Sequence, residues 1–441
     1  MPSYVKAYLG TTPLFTTTPT SSADWVRPAD WLTLPSATAN SVVGLYAVLD
    51  QTENYVTVQM QTADASTYTI NWGDGNSTTA ASNTIIAYNY DYNNAALNGT
   101  LSTRGYKQAI ITITPQSGKV FTFCNIANKP TTPSLAGSPS SGWLDLNINL
   151  PNLTSGGTRL AIGANIGMLP RLLERVNIVS WGAINNTSEM FRNTFSLASL
   201  NETEWNFANI TNASSMFFSS GIRKLNCENW DMGKMTSLTN LFRDCINLQS
   251  VKCSTWNLSA CTAIDQVFMG CGPLEDVNIS NWNVSNVQLF SYAFQGCRSL
   301  RNINVASWNT SKATTINNMF ELAQSLTDVI TTNWNLSACT NASNLFNGCG
   351  NLRKVGPLNL SNVANLGGSF AANCNSLANV AISGIKTSVN FSNCQMSATT
   401  LNTLYTNLST VVGQTITVTG NYGTASDDPT IAQNKGWTVT G

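Results

Sequence analysis

The sequence predicts a mainly β fold with an extended N-terminal arm, a small β-sandwich and a long solenoid closed by a C-terminal cap. Three observations predict it. A repeat of 25 or 26 residues runs through much of the 441-residue chain. Short runs of alternating apolar residues follow one another in residues 46–118. A Thr/Pro-rich stretch without a sustained period occupies residues 1–45.

Two series of aromatic residues and one of cysteines set the period of the repeat. Tryptophans and phenylalanines recur in step, and a cysteine follows four of the phenylalanines by three residues. A unit of this size cannot bury its apolar face alone, so we expect stacked copies to share one core. The cysteines are expected to be small buried hydrophobic groups without partners. The repeated positions are Trp205, Trp230, Trp256, Trp282, Trp308, Trp334, Phe242, Phe268, Phe294, Phe320, Phe346, Cys245, Cys271, Cys297 and Cys349.

Each repeat has two halves. The aromatic, cysteine and leucine at three-residue spacing predict a short helical or 3-10 turn, and the alternation before each tryptophan predicts a half-buried strand. An asparagine follows most of the tryptophans, as Asn257 and Asn283 do. We expect these asparagines to point inward and to bond the backbone of successive coils. The tryptophans are expected in the core rather than as carbohydrate platforms.

The repeats resemble a known family. The segments MFRNTFSL, LFRDCINLQSVKCSTWNLSACTAI and AFQGCRSLRNINVASWNTSKATTINNMF are similar to BspA-like leucine-rich repeats, over residues 143–420. The resemblance implies a right-handed solenoid with one strand and one short helical segment per coil. Ala323, in place of a cysteine, and Leu358, in place of a tryptophan, depart from the pattern. Residues 421–441, which include Trp437, are predicted to cap the last coil.

The N-terminal third is different. Residues 1–45 are expected to be an extended arm with local anchors at Trp25, Trp31 and Leu34. The arm either attaches the protein to a partner or is a plain flexible leader. In residues 46–118 the motif Trp72, Gly73, Asp74 and Gly75 resembles the hallmark of PKD-type immunoglobulin-like domains. The resemblance implies a small β-sandwich, with Asp74 in a turn; a calcium-ligand role for Asp74 is the alternative. Residues 119–142, rich in Pro, Ser and Gly, are predicted to be a linker.

Composition narrows the chemistry. Charged residues make up 10% of the chain, the formal net charge is zero, and histidine is absent. Histidine-dependent nucleophilic sites and histidine-ligated metals are therefore excluded. The basic surface of a nucleic-acid-binding protein is missing, and so is an apolar stretch of about 20 residues for membrane insertion. No catalytic residue, cofactor or metal is predicted. The acidic residues that a carbohydrate-active enzyme would need do not recur in pairs; they are Glu202, Glu204, Asp265, Glu275, Asp276, Asp427 and Asp428.

The combination of arm, PKD-like domain, BspA-like solenoid and terminal cap resembles structural proteins of tailed-bacteriophage virions. The resemblance implies a non-enzymatic capsid decoration or fibre, made in the host cytoplasm and displayed on the virion surface. Other virion proteins, through residues 1–45, and a host-surface receptor or polysaccharide are the expected partners, and a homo-oligomer stays open. The first alternative is a bacterial cell-surface BspA-like adhesin, for which the start MPSYVKAYLG shows no export signal. A carbohydrate-active enzyme is the second.

Overall fold

The computed structural model describes residues 25–52, 54–129, 140–157, 159–164 and 169–441. The predicted arm is therefore described only from residue 25, and the predicted linker only at its two ends.

Strands dominate this part of the chain. They are β1 (Ser41–Val48), β2 (Tyr55–Thr62), β3 (Tyr68–Asn71), β4 (Ser77–Ala80), β5 (Ile86–Asn89), β6 (Lys107–Pro115), β7 (Phe121–Asn125), β8 (Trp143–Asn149), β9 (Leu160–Ala161), β10 (Arg175–Ser180), β11 (Ser199–Leu200), β12 (Lys224–Asn226), β13 (Ser250–Lys252), β14 (Asp276–Val277), β15 (Asp328–Ile330), β16 (Lys354–Asn359), β17 (Asn379–Ser383), β18 (Val389–Asn390), β19 (Gln414–Thr417) and β20 (Trp437–Thr440). The helices are α1 (Ala398–Thr406), α2 (Thr430–Gln433) and three 3-10 turns, Ala95–Leu97, Glu202–Glu204 and Tyr422–Ala425.

A two-sheet sandwich forms the N-terminal end. One sheet has the strand order β11-β10-β8-β1-β6-β3-β4, and the other has the order β5-β2-β7-β9. Alternate residues of β1 point to different cores, since Val42 and Tyr46 pack between the sheets and Leu45 packs on the outer face. The sandwich begins at Ser41 and includes β7, so the predicted boundaries of 46 and 118 were wrong. Strand pairing could not be read from local periodicity.

Both sheets of the sandwich continue into the solenoid. Strand β8 pairs antiparallel with β1 on one side and parallel with β10 of the first coils on the other. In the second sheet β7 pairs antiparallel with β2 and parallel with β9. The sandwich therefore covers the first coil of the solenoid and leaves no free edge at the seam. It is the N-terminal cap of the rod rather than a separate domain on a linker.

Residues 25–34, which we call the strap, lie on the outer face of the larger sheet. Trp31 is buried there and its indole N–H donates to the Tyr106 hydroxyl at 2.9 Å. Arg27 donates to the carboxylate of Asp145 at 2.8 Å. The second half of the predicted arm is therefore anchored on the protein's own sheet, where Trp31 is one of the anchors that the sequence indicates. Residues 1–24 lie outside the described part.

The solenoid has about 11 turns with a spacing of about 26 residues, and two walls stack along its axis. The strand wall consists of the parallel sets β12-β13-β14, β15-β16-β17 and β18-β19-β20. Opposite it, a column of parallel bridges joins consecutive coils from Asn186 to Asn365. We call this second side the turn wall. The mainly β solenoid predicted from the sequence is confirmed.

The turn wall has a regular backbone pattern. In one coil the N–H groups of Asn240, Phe242 and Asp244 donate to carbonyls of the next coil, whereas those between them donate three residues back within the same coil. Asn240 and Asp244 have positive φ angles of 59° and 57°. Consecutive turns thus replace the predicted helical segment, and residues 205–397, all of them described, contain no helix. The short helix expected in each coil was wrong.

The C-terminal residues continue the stack. Strand β20 pairs with β19, and the buried indole of Trp437 donates to the Ser409 carbonyl at 2.8 Å. Helix α1 begins at the N-cap Ser397 and packs Leu401 and Leu404 onto the preceding coils. The predicted cap of residues 421–441 therefore forms the last strand and two short helical turns of the rod.

Candidate functional site

A ladder of tryptophans supports one corner of the coils. Trp256, Trp282 and Trp308 stack with ring centroids 5.5 and 6.4 Å apart and planes within 7° of parallel. Each indole N–H also donates to a carbonyl of the preceding coil, as Trp282 does to Cys253 at 3.0 Å. The ladder fixes the spacing and orientation of the corner in successive coils. Trp205, Trp230, Trp256, Trp282 and Trp308 lie in the core, and Trp334 is half-buried.

Exposed asparagines follow these tryptophans on the outside. The Oδ1 atom of Asn283 accepts a hydrogen bond from the Ser285 N–H at 3.2 Å, two residues on. Asn309 does the same with Ser311 at 3.1 Å. Such Asx turns satisfy a backbone N–H at the bend of the chain. The expectation that these asparagines point inward as a ladder was wrong, because each one turns the chain of its own coil. The column consists of Asn257, Asn283, Asn309, Asn335 and Asn359.

A second exposed column lies five residues further along each coil. The Thr236 hydroxyl donates to the Thr211 carbonyl at 2.8 Å, and that of Thr262 donates to the Thr236 carbonyl at 3.2 Å. This column went unnoticed in the sequence, although its spacing of 26 residues was a readable signal. We call the two columns together the corner strip. Its second column consists of Thr236, Thr262, Gln288, Thr314 and Thr340.

The corner strip is uncharged from Asn257 onward, whereas Asp231 holds the asparagine position in the coil of Thr236. Its ten positions are amides and hydroxyls without an acidic or basic side chain. The nearby Lys234 donates to Asn209 at 3.0 Å and Lys312 donates to Asn286 at 2.5 Å. These contacts partly occupy the two ammonium groups. The strip therefore offers hydrogen bonds rather than charge attraction.

The phenylalanines and cysteines lie inside the turn wall. Phe242, Phe268, Phe294, Phe320 and Phe346 stack at 5.3 to 5.8 Å between centroids. Each thiol of Cys245, Cys271, Cys297 and Cys349 donates to the carbonyl of a phenylalanine in the preceding coil, at 2.9 to 3.2 Å. All eleven cysteines are buried and unpaired. These residues hold coils together and are out of reach of a ligand.

Ten of the eleven thiols are hard to ionise, and burial contributes to this in each of them. Burial raises the pKa of Cys124 to about 12 and that of Cys261 and Cys339 to about 11. For Cys374 and Cys394 the first cause of a raised pKa is a hydrogen bond with a neighbouring thiol, and burial adds to it. Burial also raises the pKa of Cys227, Cys245, Cys253, Cys271 and Cys297. Such thiols are poor nucleophiles.

The PKD-like motif forms a turn closed by its own contacts. Gly73 and Gly75 have positive φ angles of 76° and 89°, and Trp72 stacks on Tyr88 with centroids 4.5 Å apart. The Asp74 carboxylate, 3% exposed, accepts from the Tyr88 hydroxyl at 2.6 Å and from the Asn76 N–H at 3.1 Å. Donors reach both oxygens of Asp74, as the turn role requires.

The acidic residues do not converge on a cleft. The Glu202 carboxylate accepts from the Asn226 N–H, Asp265 accepts from Thr239, and Asp427 accepts from Tyr405. Among the depressions of the described surface, one shallow depression lies beside α1 and another beside Trp205. In the described part of the chain no three His, Cys, Asp or Glu residues are grouped to hold a metal ion. None of the helices described there is long and apolar enough to cross a membrane.

The repeats match a known protein family. A profile described as "Mycoplasma protein of unknown function, DUF285" matches residues 185–274, 236–356, 271–383 and 327–405. The overlapping matches run from 185 to 405, which is half of the chain. Neither a curated protein nor a solved structure matches it.

Proposed function

We propose, from the premise that this chain belongs to the DUF285 family, described as Mycoplasma proteins of unknown function, that it is a non-enzymatic binding protein displayed on a particle surface. The observation that supports this proposal is the corner strip. It presents the same uncharged polar groups in register over successive coils. The tryptophans and cysteines of the scaffold lie in or against the core, where they join one coil to the next. A repeated flat surface suits contact with an extended partner.

We place this surface on the virion of a tailed bacteriophage, as a capsid decoration or fibre. The resemblance of the repeats to BspA-like repeats and of the turn at Trp72 to the PKD motif supports this placement, although turns replace the helical half of each coil. The strap, residues 25–34, is bound to the protein's own sheet. Attachment to other virion proteins is therefore assigned to residues 1–24, which lie outside the described part.

Particle composition tests the proposal. Quantitative mass spectrometry of purified particles should find this chain at a fixed copy number, and deleting residues 1–24 should remove it from particles while the soluble protein stays folded. Unchanged incorporation of the truncated chain would exclude attachment through this segment. Absence of the full-length chain from particles would exclude the virion placement.

The second candidate is a bacterial cell-surface adhesin. The resemblance of the repeats to BspA-like repeats supports it, and the family description names a bacterium rather than a bacteriophage. An antibody against residues 169–441 distinguishes the adhesin from the virion protein when it is applied to intact, uninfected bacteria that carry the gene. Surface labelling without phage particles favours the adhesin.

A further inference from the structure

We infer that the corner strip binds an extended, neutral polysaccharide chain that runs along the axis of the rod. This inference rests on the proposed function as a displayed binding protein, and it names the class of ligand and the surface that binds it.

The two columns of the strip complement a sugar hydroxyl. In the asparagine column Oδ1 is used by the Asx turn, while the Nδ2 groups of Asn283 and Asn309 donate to no group within the described residues. In the threonine column the hydroxyl proton of Thr314 is already donated to the Gln288 carbonyl at 3.1 Å, so its oxygen is left as an acceptor. A sugar hydroxyl both donates and accepts one proton. One column thus offers donors and the other offers acceptors.

The spacing of the coils sets the direction of the ligand. Parallel bridges beside the threonine column join consecutive coils, so the strip repeats at the spacing of paired strands, about 4.8 Å. This distance is close to the length of one sugar unit in an extended β-linked chain. A chain along the rod therefore meets a new asparagine with each unit, together with a threonine or, in the coil of Asn283, with Gln288. A chain across the coils meets only one such pair.

The absence of charge in the strip selects a neutral ligand. A polyanion gains its affinity from Lys and Arg side chains, and none of the ten positions carries one. The tryptophans lie under the backbone, 1 to 3% exposed at Trp256 and Trp282, and cannot stack on a sugar ring. Affinity must then come from many modest hydrogen bonds, which predicts a strong dependence on ligand length.

Oligosaccharide titration of the full chain tests the ligand class. We expect calorimetry to show binding of cellohexaose or mannohexaose, both extended and neutral, about tenfold or more tighter than that of the matching trimer. Maltohexaose, which is curved, and the anionic hexagalacturonate should bind more weakly. Absence of binding to both extended hexamers, or equal affinity for trimer and hexamer, would overturn the inference.

A matched pair of double variants tests the surface. Asn283→Ser with Asn309→Ser keeps an oxygen acceptor for each turn but removes two amide donors from the strip. The control, Asn278→Ser with Asn304→Ser, makes the same change at exposed Asx turns on the strand wall of the same two coils. The strip variant should lose about tenfold or more in affinity and the control less than about twofold, with equal melting temperatures. Equal effects of the two variants would rule out the strip as the site.

These outcomes are separable from the proposed function. If the chain is found on particles or cells but binds neither hexamer, display stands and the polysaccharide inference fails. If it binds the hexamers through the strip but is found on neither surface, the proposed location fails.

Discussion

The sandwich and the solenoid share two continuous sheets, but their strands pair with different hydrogen-bond patterns. In the sandwich the pairs β1–β6 and β2–β5 are antiparallel and each occurs once. In the solenoid the pairs are parallel, and the contacts of one coil return in the next. The two patterns meet at β8, which is antiparallel to β1 and parallel to β10.

The difference extends to the polar groups. The sandwich satisfies Asp74 with the particular donors Tyr88 and Asn76. In the solenoid, Asx turns provide the acceptors for backbone N–H groups at the bends of successive coils. Indole and thiol groups donate from one coil to the next at repeated positions. A condition that acts on every coil should therefore have a summed effect on the solenoid, while one substitution should affect one coil.

The largest expected effect is alkaline unfolding that begins in the solenoid. Nine of its thiols have a raised pKa, against the one at Cys124 in the sandwich. A raised folded pKa leaves stability intact below the unfolded value of about 8.5 and removes it as pH rises toward the folded value. Each thiol then costs about 1.4 kcal/mol per pH unit, or roughly 12 kcal/mol for nine at one unit above the unfolded pKa.

Hydrogen exchange followed by mass spectrometry at pH values from 7 to 10 measures this effect region by region. Protection in residues 205–397 should collapse above pH 9, before that of β1 and β6. Between pH 6 and 7 stability should be flat, because the chain has no histidine and the unfolded thiols are still protonated. A stability that does not change up to pH 10 would contradict the buried, protonated state of the thiols.

The next effect concerns one step of the tryptophan ladder. Trp282→Ala removes the stacking contacts with two neighbouring tryptophans and the indole N–H that donates to the Cys253 carbonyl. We therefore expect a loss of about 4 kcal/mol in the free energy of unfolding. Trp282→Phe keeps an aromatic ring and should lose about 1–2 kcal/mol. Urea denaturation measures both variants. Trp334→Ala, at a half-buried position, should lose less than Trp282→Ala, and an equal loss would mean that stacking adds nothing.

The sequence was most informative where its period mapped onto the core. A tryptophan or phenylalanine every 26 residues must occupy the same place in each coil, and these residues do stack on their equivalents. The period does not indicate whether a polar side chain points into the core or toward solvent. Asn283 was therefore predicted to join an inward ladder, whereas the structure shows it in an exposed Asx turn.

The turn wall was mistaken for helix because the signals coincide. Spacing of three residues from Phe268 to Cys271 suits a helical turn and also two consecutive tight turns. Tight turns differ from a helix in their left-handed backbone. A glycine such as Gly270 indicates this conformation in the sequence, but the equivalent residues Asp244 and Leu322 do not, although their φ angles are 57° and 59°. The seam between β1 and β8 depends on residues about 100 apart in the chain, and local patterns carry no trace of such pairing.

The seam itself should be sensitive to one buried carboxylate. Asp145, with a fully buried side chain in β8, accepts from Arg27 of the strap at 2.8 Å and from Arg175 of β10 at 2.7 Å. Asp145→Ala leaves both guanidinium groups without their carboxylate partner. We therefore expect a loss of about 3 kcal/mol in the free energy of unfolding. Thermal denaturation measures it, with faster proteolysis of the strap as a second readout. Asp64→Ala, which breaks a surface pair with Lys119 in the sandwich, is the control and should change little. A small effect of both variants would show that the strap does not hold the seam.

The smallest expected effect is a gain at the coil that lacks a thiol. Ala323 is fully buried where Cys297 and Cys349 stand in neighbouring coils, and those thiols donate to the carbonyls of Phe268 and Phe320, each 29 residues earlier. The equivalent acceptor for position 323 is the Phe294 carbonyl. Ala323→Cys should add the missing donor and fill the column, raising the free energy of unfolding by about 1 kcal/mol at pH 7. Cys297→Ala should lower it by about 1–2 kcal/mol. Urea denaturation under reducing conditions measures both. A loss on Ala323→Cys would show that this coil has closed around the smaller side chain, and that its walls are less strictly repeated than their hydrogen bonds suggest.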